Sequence, residues 1–481
     1  MKRKQKSNNS QSNKPNARLD FKKDRMLQIA SVVFVLLVAS FIFNRVLPWW
    51  LETIILVTAF AGVLLIGFNR LPKSVQITGI VLMLIGSMGL FYSQSLLNRA
   101  FRQITTEKTI VSFVVLNESP IEDLENGENY RYGYSEMLDV ELKELVIETV
   151  DEKFGYVIEP NTYIFDDQVY AALLSNEIEV MIVDNALVSF FDEEYPNFWD
   201  EVRVIFEVEK EYERDTTRTE VDFSKDPFVV YVSGLDTSGP LSNRSRSDVN
   251  ILMFVNPSKG EILQVSLPRD LYLPISCRNN VKDKLGHAGV YGINCSVNTI
   301  QNFMDLEIDL FARVNFTSFI EIINVIGEIE VYSEYSFYPQ EMKSLLVRKG
   351  MNTFNAEEAL AFARERKRLP GGDITRGLNQ QEVIKGVIRK LVSPSQILRI
   401  EGIINQTAKS VDTNATSDDL LKVVNRQIRE GITWNFTSKA MTGTGVMLPS
   451  AADGGRLIYY LQPSQEVYHE IQELIREVMS D

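Results

Sequence analysis

The sequence predicts an α/β protein in three parts: three N-terminal transmembrane helices, an α/β accessory domain, and a larger α/β domain. Three observations predict it. Three uncharged apolar runs follow one another between residues 26 and 93. Beyond them, short β-like runs alternate with helical periodicity, the pattern of α/β architecture. Charge is also partitioned. Residues 1–25 carry nine Lys or Arg against two Asp, a net +7, which leaves −21 on the rest of a chain whose total is −14. At 481 residues there is room for about three domains. With 45% hydrophobic and 24% charged residues, bulk disorder is excluded.

The apolar runs cover residues 26–43, 54–68 and 75–92. Each approaches the ~20 residues that cross a bilayer, and three in tandem read as spans rather than core helices. The basic tail (1–25) places the N-terminus in the cytoplasm by the positive-inside rule. The second connection, with Arg70 and Lys73, is basic and falls on the same side. Residues 94–481 are then extracytoplasmic; Arg99 and Arg102 oppose this more weakly than the tail supports it. Both cysteines, Cys277 and Cys295, lie in that part, where an oxidising exterior permits a disulfide; two free thiols are the alternative. Two cysteines and two histidines leave no room for a multi-His zinc site or a four-thiolate cluster. The acidic bulk excludes a nucleic-acid partner, which requires a basic footprint.

Within the exterior part, residues 110–116 and 178–183 read as strands and 135–150 as a helix, giving an accessory domain over residues 105–206. The charged stretch 207–226 reads as a linker. Residues 227–481 form the second domain. It opens on strands at Phe228, Val249 and Ile262, with a turn through Asn256-Pro257-Ser258-Lys259-Gly260. Helical patterns follow around 296–305, 316–327 and 373–391. Asn355 and Glu358 form a capping box that opens a helix running to about Arg364.

The charged residues of this domain carry the chemistry. Asp236 follows the first strand. In an extended chain Arg244, Arg246 and Asp248 would share one face. Arg269 and Asp270 follow the third strand, then come Arg364 and Arg366, and finally Arg376 and Gln380 at i and i+4. Arginine forks match phosphate oxygens, and their excess over nearby carboxylates points to a polyanion. Two aspartates near strand ends suit Mg²⁺, with Mn²⁺ as the alternative metal. Such a set is a phosphoryl-transfer toolkit. Spacing alone more often marks a solvated strand edge or a charged helix end.

Taken in order, these segments resemble the LytR-CpsA-Psr family. The carriers are Gly234-Leu235-Asp236, Arg244-Ser245-Arg246-Ser247-Asp248, Ser266-Leu267-Pro268-Arg269-Asp270, the stretch 284–292 around His287, Arg313-Val314-Asn315-Phe316, 358–366, and Arg376 with Gln380-Gln381. The resemblance spans residues 228–392. The three spans and accessory domain are similar to the capsule-locus type found in streptococci.

The resemblance implies an α/β sandwich whose apolar interior accepts a polyprenyl chain. Phe316, Phe319, Ile320, Ile323 and Ile326 either line that interior or form the core face of a helix. It implies a membrane-anchored phosphotransferase that moves capsular polysaccharide, or a related glycopolymer, from an undecaprenyl-pyrophosphate carrier to peptidoglycan. The bond formed is a phosphodiester. Asp236 and Asp248 become the Mg²⁺-side carboxylates. Arg244, Arg246, Arg269, Arg364, Arg366 and Arg376 become pyrophosphate ligands with Gln380 as a polar contact, and Arg269 is the most rate-critical. Gly286 departs from the family pattern, which leaves His287 as a structural turn residue rather than a general base. The alternatives are a lipid-pyrophosphate glycan hydrolase, or a non-catalytic regulator of capsule assembly and chain length that engages other capsule-assembly proteins. Transcription control is disfavoured, because the short basic tail has no helix-turn-helix pattern.

Overall fold

The computed structural model describes residues 25–43, 49–68, 71–100, 106–190, 195, 197–213, 221–237, 239–397, 399–450 and 456–480. Most of the basic tail, and residues 214–220 of the expected linker, lie outside the described residues. The chain divides into two units, residues 1–99 and 100–481.

The first unit holds helices α1 (Arg25–Phe43), α2 (Trp49–Gly67) and α3 (Lys73–Ala100). Leu27, Ala30 and Val33 pack with Val63, Ile66 and Ile80 in an inner seam. The opposite faces are also apolar, with Ile29, Val32, Val57, Phe60, Leu82 and Ile85 exposed. These helices occupy the three predicted stretches. Among the described residues, however, no helix is long and apolar enough to cross a membrane, so the structure does not support three spans. At 19 residues each, α1 and α2 rise about 28 Å, just short of the ~30 Å hydrocarbon core, and α3 is apolar over only part of its 28 residues.

The second unit begins with the accessory domain. Its elements are β1 (Thr106–Leu116), β2 (Tyr132–Ser135), α4 (Val140–Phe154), β3 (Asn161–Tyr163), α5 (Asp166–Leu174), β4 (Val180–Asp184), α6 (Phe198–Glu201) and β5 (Val202–Glu213). They form a five-stranded sheet in the order β3-β2-β4-β1-β5. Strand β1 alternates faces. Val111, Phe113 and Val115 pack with Val146 and Val150 of α4, while Val114 turns towards Val169 and Leu173 of α5. The helix expected over 135–150 begins later, at Val140, because the Asp139 side chain accepts from Glu141 N (2.8 Å) and caps it.

The expected linker is also corrected. Residues 207–213 are the second half of β5, paired with β1 from Ser112↔Glu207 to Thr106↔Glu213. Their acidity is met across the ladder, where Lys108 reaches Glu209 at 2.8 Å and Glu211 at 3.2 Å.

The larger domain contains β6 (Phe228–Leu235), β7 (Ser247–Asn256), β8 (Glu261–Ser266), β9 (Tyr272–Pro274), β10 (Lys282–Lys284), α7 (Ile293–Met304), β11 (Leu310–Val314) and α8 (Phe316–Ile326). Next come β12 (Ile329–Ser333), β13 (Gly350–Phe354), α9 (Ala356–Arg364), α10 (Asp373–Leu391), α11 (Pro394–Ile397) and α12 (Ile400–Thr407). The last elements are β14 (Asp412–Thr413), α13 (Ser417–Glu430), β15 (Asn435–Ala440), β16 (Gly443–Pro449), β17 (Leu457–Pro463) and α14 (Gln465–Met479). The main sheet runs β14-β11-β6-β7-β8-β15.

Period-two alternation sends Val229, Tyr231, Leu252 and Phe254 to one face, against Ile300 of α7 and Ile471 and Ile475 of α14. Phe228, Ile251, Met253 and Val255 face the other way, towards Ile384 and Ile388 of α10 and Leu420 of α13. The result is an α/β sandwich with helices on both faces. β6 and β11 are parallel, β8 and β15 are parallel, and β7 opposes both β6 and β8. The C-terminal ends of β6, β8 and β11 therefore meet the start of β7 at one end of the strands. Cys277 and Cys295 form a disulfide that ties the segment after β9 to α7.

The accessory domain is keyed into this sandwich. Lys108 N donates to Ser242 O (2.9 Å) and Arg244 N donates to Lys108 O (3.1 Å), so the loop after β6 extends the accessory sheet. Beside them the buried Glu107 carboxylate accepts from Ile293 N (3.1 Å) and from Arg313 Nη1 (2.6 Å). Arg313, 1% exposed, also donates to Asp412 (2.8 Å) and to Leu241 O (2.8 Å).

Candidate active site

A cavity of about 480 Å³ opens at those strand ends. It is lined by Asp236 after β6, Arg246 just before β7 and Asp248 at its start, Arg269 after β8, Arg364 at the end of α9 and Arg366 just beyond it, and Arg376 and Gln380 on α10. Helix α10 reaches the sheet because residue 377 is glycine; a Cβ there would run into Ser266 Oγ. The structure thus brings together eight of the nine residues that the resemblance assigns to the site, while Asp270 lines a neighbouring cleft.

Arg244 is the exception. Its guanidinium stacks on the Tyr212 ring of the accessory domain at 3.8 Å and lies 3.5 Å from Glu107. The expected shared face of Arg244, Arg246 and Asp248 fails because β7 starts only at Ser247. The residues before it are loop, where alternation does not hold.

Arg246 bridges the two aspartates, 3.0 Å from Asp236 Oδ2 and 2.9 Å from Asp248 Oδ1. Arg269 Nη1 donates to Asp248 Oδ2 at 2.6 Å. Burial opposes ionisation of Asp248, but Arg246 and Arg269 overcome it and hold its carboxyl down at about 2. Burial likewise works against the Arg269 charge, yet Asp248 raises its pKa above the ordinary value, so the guanidinium stays charged. Arg364 sits on the Phe316 ring at 4.1 Å and donates to Glu341 at 2.7 Å. Arg376 is paired with Asp373 at 2.5 Å, and burial lowers its pKa. Gln380 Nε2 donates to Ala363 O at 3.3 Å.

Apolar side chains also line the cavity: Val232, Val314, Phe316, Phe319, Leu360, Val383 and Ile384. The residues proposed as either lining or core divide between the two roles. Phe316 and Phe319 line the cavity, whereas Ile323 and Ile326 are buried in the cluster beneath it. His287 lies outside the main cavity. It is buried, 3.0 Å from Asp283, beside a small void behind Arg246 and Arg269. Sequence reasoning missed Glu341 and Lys367, which also line the cavity, and it missed Asp373. The i,i+3 spacing of Asp373 to Arg376 was the available signal for that residue.

Asp236 and Asp248 are the candidate donors for a divalent cation. Two carboxylates without histidine or cysteine fit a hard ion whose remaining ligands are phosphate oxygens and water. Among the described residues no group of three or more His, Cys, Asp or Glu could hold a metal unaided. In the structure the Arg246 guanidinium stands between the two carboxylates.

Arginine side chains and apolar side chains thus line one cavity at the strand ends of an α/β sandwich. The model of the LytR_cpsA_psr family matches residues 202–476, and the chain belongs to that family. It is 31% identical over 254 residues to the polyisoprenyl-teichoic acid–peptidoglycan teichoic acid transferase TagU of Bacillus subtilis, covering 53% of this chain and 78% of that protein. It is 34% identical over 214 residues to the TagU of Bacillus licheniformis, covering 44% of this chain and 67% of that protein. The crystal structure of B. subtilis TagU aligns with a TM-score of 0.42 at 31% identity, over 53% of this chain and 98% of that one.

Proposed function

We propose that this protein transfers a glycopolymer, of the capsular polysaccharide kind, from an undecaprenyl-pyrophosphate carrier to peptidoglycan through a phosphodiester. The observation that carries the reading is the continuity of the arginine cluster with the apolar pocket. The arginines suit a pyrophosphate and the apolar side chains a polyprenyl chain. The relatives named as polyisoprenyl-teichoic acid–peptidoglycan transferases support the same class of reaction.

In this reading Arg269, Arg364, Arg366 and Arg376 bind the pyrophosphate, and Arg246 with Asp248 fixes Arg269. Phe316, Phe319 and Ile384 receive the chain. An acceptor hydroxyl attacks the phosphorus bearing the glycan. A new P–O bond forms, the P–O bond to the lipid phosphate breaks, and undecaprenyl phosphate leaves. The hydroxyl proton passes to a carboxylate of the site. Asp236 and Asp248 would hold Mg²⁺, which would neutralise charge on the pyrophosphate. The arginines stabilise the same charge without reorganising, which is where most catalysis of this kind resides.

We also propose that residues 26–93 hold the chain at the membrane, with the N-terminus cytoplasmic and residues 94–481 outside. Helices apolar on inner and outer faces support this, as does the separation of a basic tail from an acidic bulk. Labelling single cysteines at residue 10 and residue 440 with an impermeant reagent in intact cells tests it; only the second is expected to react.

For the function itself, the test is wall-bound glycopolymer in cells carrying Arg269→Ala as the sole copy. Loss of attachment with normal protein abundance is expected. Normal attachment would overturn the assignment.

A further inference from the structure

A second cleft, of about 470 Å³, adjoins the first. Its walls are Asp270, Asp373, Leu369, Leu461 and the exposed ring of Tyr459, and it shares Arg366 and Lys367 with the main cavity. We propose that this cleft is the subsite for the glycan acceptor, with Tyr459 as the platform for a sugar ring; the inference rests on the transferase reading above.

Three features carry it. Continuity is the first. The apolar lining of the main cavity takes the departing lipid, and displacement at phosphorus needs the nucleophile to enter on the opposite side of the bond being broken. The cleft meets the main cavity at Arg366 and Lys367, two of its cationic lining residues. A hydroxyl arriving through it reaches the phosphorus without crossing the lipid.

The second feature is chemistry. A pyranose offers an apolar C–H face and a rim of hydroxyls. Tyr459 is 47% exposed, and its ring lies over Gly445, where a Cβ would come within 2.7 Å of it. One face of the ring is therefore seated on backbone and the other is open. Asp270 and Asp373 accept from hydroxyls on the rim. Burial raises the Asp373 carboxyl above its ordinary range, although Arg376 opposes this, which suits it to take the proton of the attacking hydroxyl.

The third feature is extent. Met447 pairs with Tyr459 across the β16–β17 hairpin, and Leu457 lies two residues from Tyr459 on the same face. All three are exposed. An apolar stripe therefore continues from the cleft along the hairpin, as a polymeric acceptor requires.

The test uses the full-length protein in detergent, soluble peptidoglycan oligomers as the acceptor, an undecaprenyl-pyrophosphate-linked oligosaccharide as the donor for transfer, and geranylgeranyl pyrophosphate as the donor-site binding probe. Oligomer binding is followed by saturation-transfer NMR, and transfer by product mass. For Tyr459→Ala, the expected result is about a tenfold rise in the acceptor KM and a matching loss of oligomer binding. Geranylgeranyl pyrophosphate binding and melting temperature should be unchanged, and Tyr459→Phe should restore the acceptor KM. Unchanged acceptor KM and oligomer binding in Tyr459→Ala would overturn the cleft assignment and leave the transferase reading intact. Oligomer binding that depends on Tyr459, without transfer by the wild type, would support the cleft and remove the transferase reading.

Discussion

Replacing Arg313 with methionine should be among the most destabilising single changes in the protein. Its guanidinium is buried between two carboxylates, Glu107 at 2.6 Å and Asp412 at 2.7 Å, and it also holds Leu241 O at 2.8 Å. Methionine keeps much of the volume but leaves Glu107 and Asp412 buried without the Arg313 guanidinium, with Arg244 still 3.5 Å from Glu107. Breaking a buried pair from one side costs about 3–5 kcal/mol. Glu107→Gln is milder, because it leaves the Arg313–Asp412 pair intact and keeps a side-chain acceptor for Ile293 N. The loss of one charge-assisted hydrogen bond is worth roughly 1.5–3 kcal/mol. Urea denaturation of the full-length variants in detergent measures both, read from the midpoint at constant slope. The double variant should cost less than the sum of the singles, since the two residues share one interaction. An Arg313→Met protein within about 1 kcal/mol of wild type would refute the claim that this ion network locks the accessory domain to the sandwich.

Other outcomes follow from the same structure. Arg269→Ala should lower the rate of transfer by at least about 10²–10³-fold, the loss of a charge-stabilising donor, while the melting temperature shows the fold is retained. In the accessory domain burial pushes the Asp184 carboxyl up to about 7 and that of Asp166 up to about 6. Folded protein then holds protons that unfolded chain releases, so stability should fall as pH rises from about 4 to about 7, by up to about 1.4 kcal/mol per pH unit for each group. Asp184→Asn should flatten that profile, and an unchanged profile would contradict the burial argument. Cys277→Ser with Cys295→Ser should cost about 3 kcal/mol by denaturation, the chain-entropy value for a loop of this size.

What was legible in the sequence was local or periodic. The hairpin through residues 256–260, the Asn355–Glu358 capping box and the helix Asp373–Leu391 all lie where their residues place them. Long-range pairing was not legible. Strand β15 joins the sheet edge beside β8 from 170 residues downstream, and no local pattern near Asn435 announces it. Residues 207–213 read as a solvated linker because their charges are satisfied only across the ladder, by Lys108. In the site, residue types and order identified the arginines that line the cavity. They misplaced Arg244, because its strand face does not exist before Ser247. Glu341 and Tyr459 belong to segments whose position at the site depends on tertiary packing alone.

The most direct measurement is the product itself. Full-length protein in detergent would be given an undecaprenyl-pyrophosphate-linked oligosaccharide and peptidoglycan oligomers, with Mg²⁺ or with EDTA, and the products resolved by mass spectrometry. A glycan–phosphate–peptidoglycan adduct, formed one for one with undecaprenyl phosphate and absent with Arg269→Ala, is the predicted result. Release of free glycan phosphate without any adduct would contradict transfer and leave hydrolysis of the carrier as the activity of this site.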